Sequence, residues 1–143
     1  MSPFFELLNA YNPEKEFAMF LDKQKEKIVF FHKNGDSGKD NFAVKTSNNY
    51  STFYVDWIIK FIDGRLGLFD TKSGSTAEGA KTRAEGLYNY IEDQNKNGKN
   101  LIGGIVIPVR DGWWINCNKD YKYTDDQNLI KNGWVPITEI FTR

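Results

Sequence analysis

The run LIGGIVIPV, residues 101–109, is apolar along its whole length. A half-buried strand alternates apolar with polar residues, whereas a run apolar on both faces is expected of a central strand covered on both sides. Such a strand needs partners at both edges and a layer above and below it. The rest of the chain therefore has to supply more strands and at least two helical stretches. Asp111-Gly112 follows as a turn, and Trp113 to Asn116 reads as the strand returning beside it.

The patterning meets that demand. Asn12 is a suitable N-cap and Pro13 a suitable first helical residue, and Phe17, Ala18, Phe20 and Leu21 form a stripe, so a helix is expected from Pro13 to about Gln24. Ile28 to His32 reads as a strand, NGDSGKDN (34–41) as a polar turn, and Phe42 to Thr46 as a returning strand. That turn lacks the G-x-x-x-x-G-K-[ST] spacing of a phosphate-binding loop. Thr52 to Thr71 reads as a hairpin around Asp63-Gly64. Ser75 and Glu78 spell a capping box, and Ala77, Ala80, Ala84, Leu87, Tyr88 and Ile91 share one face, predicting a helix from Thr76 to about Asp93. The tail to Arg143 looks irregular, with Trp134 and Phe141 docking on the core.

The expected architecture is an α/β sandwich with a central mixed sheet flanked by helices, in the order α-β-β-β-α-β plus a C-terminal hairpin. With 143 residues it forms one domain, residues 1–143, with a core over 12–117 and an extension over 118–143. Eleven Phe, seven Tyr and four Trp predict a ring-rich core. The single cysteine, Cys117, excludes an internal disulfide and suits a reducing compartment. No run approaches a membrane span, and MSPFFELL lacks a secretory layout. A cytoplasmic protein with no membrane partner is expected. Lys plus Arg and Asp plus Glu number 19 each; neutrality counts mildly against a nucleic-acid binder, yet cations can gather on one face.

Four charged residues stand where apolar ones are expected. Glu14 lies on the stripe of the first helix, three residues before Phe17. Asp56 interrupts FYVDWII. Asp70 and Lys72 close the next strand and, two apart, share a face. A two-residue loop at Asp63-Gly64 would put Asp56 and Asp70 on opposite faces. A three-residue loop, Ile62-Asp63-Gly64 with Gly64 left-handed, pairs Phe61 with Arg65 and sets Asp56 opposite Asp70. The bulged loop is the expectation. Facing carboxylates repel unless a cation lies between them, and hard oxygen ligands with open positions suit Mg²⁺ or Mn²⁺. Such an ion polarises a phosphoryl oxygen and acidifies water; Lys72 then orients that water or offsets transition-state charge, and Glu14 assists. The plain alternatives are a solvated strand end for Asp70 and Lys72, and a first-turn acid favoured by the helix dipole for Glu14.

Val55-Asp56, a 13-residue spacer and Asp70-Thr71-Lys72, behind a helix bearing E-x-x-F and before a second helix, resemble the PD-(D/E)xK nuclease superfamily. More closely, PEKEFAMFLD, the KNG loop, FYVDWIIKF, DGRLGLFDTKSG and AKTRAEGLYNYI resemble the C-terminal endonuclease region of type III restriction enzyme helicase-nuclease subunits. The resemblance spans roughly Asn12 to Val109. It implies a restriction-endonuclease-like fold and a Mg²⁺-dependent endodeoxyribonuclease, with Mn²⁺ able to substitute. It also implies Asp56 and Asp70 as metal ligands, the Thr71 carbonyl as a further ligand, Lys72 as the catalytic lysine, and Glu14 as the helix-one glutamate. Val55 replaces the proline of the superfamily name. The implied partners are DNA and, in a full restriction system, a helicase/translocase domain and a modification subunit. The motor itself is missing from the sequence, so the chain resembles an excised or stand-alone nuclease domain.

Several cations are candidates for DNA contact. Lys81 is expected on the inner helix face in line with Ala77, Ala84 and Tyr88, near a helix N-terminus that favours phosphate. Arg83 is expected one step further out. Lys33, Lys39 and Lys45 flank the first turn. Snorkelling or plain solvation is the competing reading for all of them. Trp113 and Trp114 point to opposite faces, one into the core. His32 reads as structural. Two other functions stay open: a repair or recombination nuclease acting on branched DNA, and a non-cleaving DNA-binding module.

Overall fold

The computed structural model describes residues 13–34, 43–45, 52–72, 74–109, 112–123 and 129–142. Helix α1 (Pro13–Asp22) carries Glu14 and Glu16 in its first turn, where the helix dipole favours them, and buries Phe17 and Leu21. Strands β1 (Ile28–Lys33), β4 (Trp57–Phe61), β5 (Leu66–Thr71), β6 (Leu101–Val109), β7 (Gly112–Asn116) and β8 (Trp134–Pro136) form one sheet in the order β1-β4-β5-β6-β7-β8. Among the described residues only β5 and β6 run parallel, so the sheet is mixed, and the apolar run at 101–109 is an inner strand as expected.

Among the described residues two short strands, β2 (Ala43–Lys45) and β3 (Thr52–Tyr54), pair only with each other. The expected return of residues 42–46 against β1 is therefore not observed. Strand β4 takes that place, with Phe31 beside Ile59 and Lys33 beside Trp57. The exchange favours the core, because Trp57, Ile59 and Phe61 are all buried beneath α1.

Helices cover both faces. Helix α1 and a C-terminal helix, α4 (Ile137–Thr142), pack on the side of Trp57, Phe69, Val106 and Trp113. On the other side, α2 (Gly74–Glu78) and α3 (Lys81–Lys96) lay Ala77, Ala84 and Leu87 over Leu68, Ile105 and Ile107. Trp113 thus faces the first layer and the half-buried Trp114 the second. Among the described residues no helix is long and apolar enough to cross a membrane.

The single helix expected from Thr76 to Asp93 is broken at Gly79-Ala80, and Ser75 lies inside α2 rather than capping it. Glycine weakens a helix interior, and the Ala77 carbonyl is diverted. It accepts from the Ala80 N–H at 3.3 Å and from the Tyr121 hydroxyl. The tail is also more ordered than expected. A 3₁₀ turn (Ile130–Asn132), β8 and α4 occupy it, and Trp134, Ile137, Ile140 and Phe141 are buried. Phe141 stacks on Phe20, with ring centroids 5.7 Å apart, and meets the edge of Phe61 at 5.3 Å.

Gly103 and Gly104 in β6 mark a close approach of neighbouring strands. A Cβ at Gly103 would run into the Leu68 carbonyl, and one at Gly104 into that of Asn116. Both obstacles are backbone, so neither can swing aside. G103A is expected to cost about 1–3 kcal/mol, read as a lower midpoint in urea denaturation. An unchanged midpoint would mean that the strands give way freely.

Candidate active site

The hairpin joining β4 to β5 closes through three residues. Phe61 N–H donates to the Arg65 carbonyl at 3.0 Å, Gly64 N–H donates to the Phe61 carbonyl at 3.1 Å, and Gly64 has φ +96°. Only a residue without a Cβ tolerates that conformation cheaply. The ladder then runs from Lys60 opposite Leu66 to Trp57 opposite Phe69. Its next step brings Asp56, in a bend just before β4, to Asp70 near the end of β5, as the bulged loop predicts.

The two acids interlock. Asp56 N–H donates to Asp70 Oδ1 at 2.9 Å. In return, Asp56 Oδ2 accepts from the Thr71 N–H at 2.9 Å and the Thr71 hydroxyl at 3.0 Å. Asp70 is wholly buried and Asp56 only 8% exposed, so these bonds hold both carboxylates where water cannot. Asn34 pins the segment from β1. Its N–H donates to the Asp56 carbonyl at 2.8 Å and its side-chain amide to the Val55 carbonyl at 2.9 Å.

Cations surround the pair. Lys72 Nζ lies 3.3 Å from Asp70 Oδ2. Arg83 Nε donates to the same oxygen at 2.8 Å, while its terminal NH2 reaches the Tyr54 carbonyl at 2.9 Å. Lys33 Nζ stands 4.0 Å from Asp56 Oδ1 and 3.6 Å from Glu14 Oε1, over the Trp57 ring. Burial is the main force pushing the Asp56 carboxyl above its ordinary pKa, and the nearby Asp70 charge adds to it. Lys72 and the Thr71 hydrogen bonds oppose them.

Glu14 was expected among the metal ligands. Here it is half-exposed and meets the site through Lys33, because α1 covers the opposite face of the sheet from α3. Among the described residues no three His, Cys, Asp or Glu side chains converge. A divalent ion would then be held by two carboxylates, main-chain oxygen and water, an arrangement suited to magnesium. The donor chemistry fits. All the donors are hard oxygens, and Asp56 is penalised as an anion where it stands, so added positive charge is favoured. The Asp70 oxygens already have donors, so an ion held there would have to displace a cationic side chain.

Lys81, expected on the inner face, is outward and 68% exposed, 3.9 Å from Glu85. The break at Gly79-Ala80 restarts the helix there and gives its first turn a new facing. Arg83, expected further out, turns inward to Asp70. A signal for it was present: Arg83 precedes Leu87 by four residues and Ile91 by eight, on the stripe that those two bury. Lys39 and the Asn12 cap lie outside the described residues, as does the side chain of Lys45. His32 is exposed on β1. Asn34 had no periodic signal, since it follows the end of a strand. No protein-family model, curated protein or solved structure matches the chain.

Proposed function

We propose that this chain is a divalent-metal-dependent DNA endonuclease domain with a restriction-endonuclease-like fold, hydrolysing phosphodiesters by attack of water. The observation that carries the reading is the interlock of Asp56 with Asp70, with the Lys72 ammonium 3.3 Å from Asp70. Asp56, Asp70 and the Thr71 carbonyl would hold Mg²⁺ or Mn²⁺. When bound, such an ion polarises the phosphoryl oxygen and acidifies a neighbouring water. Lys72 orients that water or offsets the charge that builds on the phosphoryl oxygens. The Thr71 hydroxyl is committed to Asp56, and no covalent enzyme intermediate is required. Glu14 assists through Lys33. Following the resemblance, the domain would serve as the cleavage module of a type III-like restriction system, beside a helicase/translocase and a modification subunit.

One observation favours a non-cleaving DNA-binding module instead. Asp70 is already neutralised by Lys72 and Arg83, as a purely structural acid would be. Nicking of supercoiled plasmid separates the two. Cleavage is expected with Mg²⁺ or Mn²⁺ and is lost with chelator, with D56N and with D70N. E14Q is expected to slow it less than about tenfold, since an exposed ion pair is worth roughly 1 kcal/mol or less. Nicking that survives in D70N would end the proposal. Absence of both nicking and calorimetric Mn²⁺ binding would favour the non-cleaving module.

A further inference from the structure

We infer that Arg83 is a latch that occupies the metal side of Asp70 and must exchange with the divalent ion for the site to load. The inference rests on the nuclease reading above and names a positioning residue within it.

Three features carry it. Asp70 Oδ2 is shared by two cations, Arg83 Nε at 2.8 Å and Lys72 Nζ at 3.3 Å. Arg83 NH2 also stands 3.5 Å from Oδ1, so the fork spans the carboxylate. Lysine alone, a single point charge on a flexible stem, leaves a lone pair of Oδ2 accessible, whereas a guanidinium fork covers the planar acceptor. The second feature is exposure. The acid is wholly buried, but the Arg83 side chain is 36% exposed, so the guanidinium can leave toward water while Asp70 stays in place. The third is the anchor at the Tyr54 carbonyl, which holds the guanidinium beside its carboxylate. The outcome is a competition between two cations for one buried carboxylate. A metal has to overcome the ion pair as well as bind, and its apparent affinity falls by the fraction of sites the latch occupies.

Mn²⁺ binding, followed by isothermal calorimetry and by electron paramagnetic resonance, tests this without reference to cleavage. A site open about one time in ten binds roughly tenfold more weakly than one always open, so R83Q, which removes the competing charge, is expected to bind Mn²⁺ roughly tenfold or more tightly than wild type. D56N abolishes the binding in both backgrounds. R83K, charged but without the fork, falls between wild type and R83Q, and it decides the matter if circular dichroism shows R83Q unfolded. A merely structural Arg83 predicts unchanged or weaker binding in these variants. That result, with wild type still binding through Asp56, overturns the latch and leaves the metal site standing. Absence of Mn²⁺ binding in every variant overturns the metal site and the latch together.

Discussion

Lys72→Ala is expected to lower the rate of metal-dependent plasmid nicking by about 10²- to 10³-fold, the scale seen when one pre-positioned donor to transition-state charge is removed. The same change should leave the fold nearly untouched. Without Lys72, Asp70 keeps the Arg83 guanidinium at 2.8 Å and the Asp56 N–H at 2.9 Å, so no buried carboxylate is left unpaired. Unpaired burial is what makes the loss of a charged partner expensive. The variant thus separates chemistry from stability, which Asp70→Ala does not, since that change strips the acid from two cations at once. Single-turnover nicking beside thermal denaturation reads both quantities. A K72A protein that nicks at the wild-type rate would remove the lysine from the mechanism.

Trp134→Ala should produce the largest loss of stability. Trp134 is wholly buried, its indole N–H donates to the Lys122 carbonyl at 2.8 Å, and its ring meets the edge of Tyr121 with centroids 5.5 Å apart. Truncating a buried tryptophan costs about 3–5 kcal/mol, against a total of roughly 5–15 kcal/mol for a natural domain. The expected fall in Tm is roughly 10 °C or more. Tyr121 also bonds the Ala77 carbonyl at the break between α2 and α3. The damage should therefore spread to the helix start as a loss of amide protection there. A Tm within about 3 °C of wild type would show that β8 contributes little to the core, since even 1 kcal/mol moves Tm by a few degrees.

What could be read in advance was local in sequence. The bulged loop followed from one glycine in third place, and the meeting of Asp56 with Asp70 followed from counting outward from it. The bounds of β6 were legible because nine apolar residues admit few other fates. Distant competition was not legible. Residues 42–46 alternate like a partner for β1, but β4 buries more there, and alternation does not say which of two candidate partners wins. The helix break depends on Tyr121, 44 residues from Ala77. Arg83 lies on the buried stripe of Leu87 and Ile91, but a helix continuous through Ala77 and Lys81 would turn it outward, and only the break at Gly79-Ala80 brings it in. Glu14 stands on α1, as its place on the helical stripe predicts. Its distance from the acids came from which face of the sheet α1 covers, and that is a tertiary choice.

The three-residue hairpin loop also bears on the order of folding. Asp56, Asp70, Thr71 and Lys72 lie within one hairpin, and the bonds joining Asp56 to Asp70 and to Thr71 span only 14 and 15 residues. Short loops close quickly, and hairpins form on the order of microseconds. The parallel pairing of β5 with β6, which sets Leu66 beside Leu101, requires a much longer closure and is expected later. The carboxylate pair is thus among the first tertiary features the chain can assemble, and the rest of the fold is built around it while both acids can still exchange partners with water.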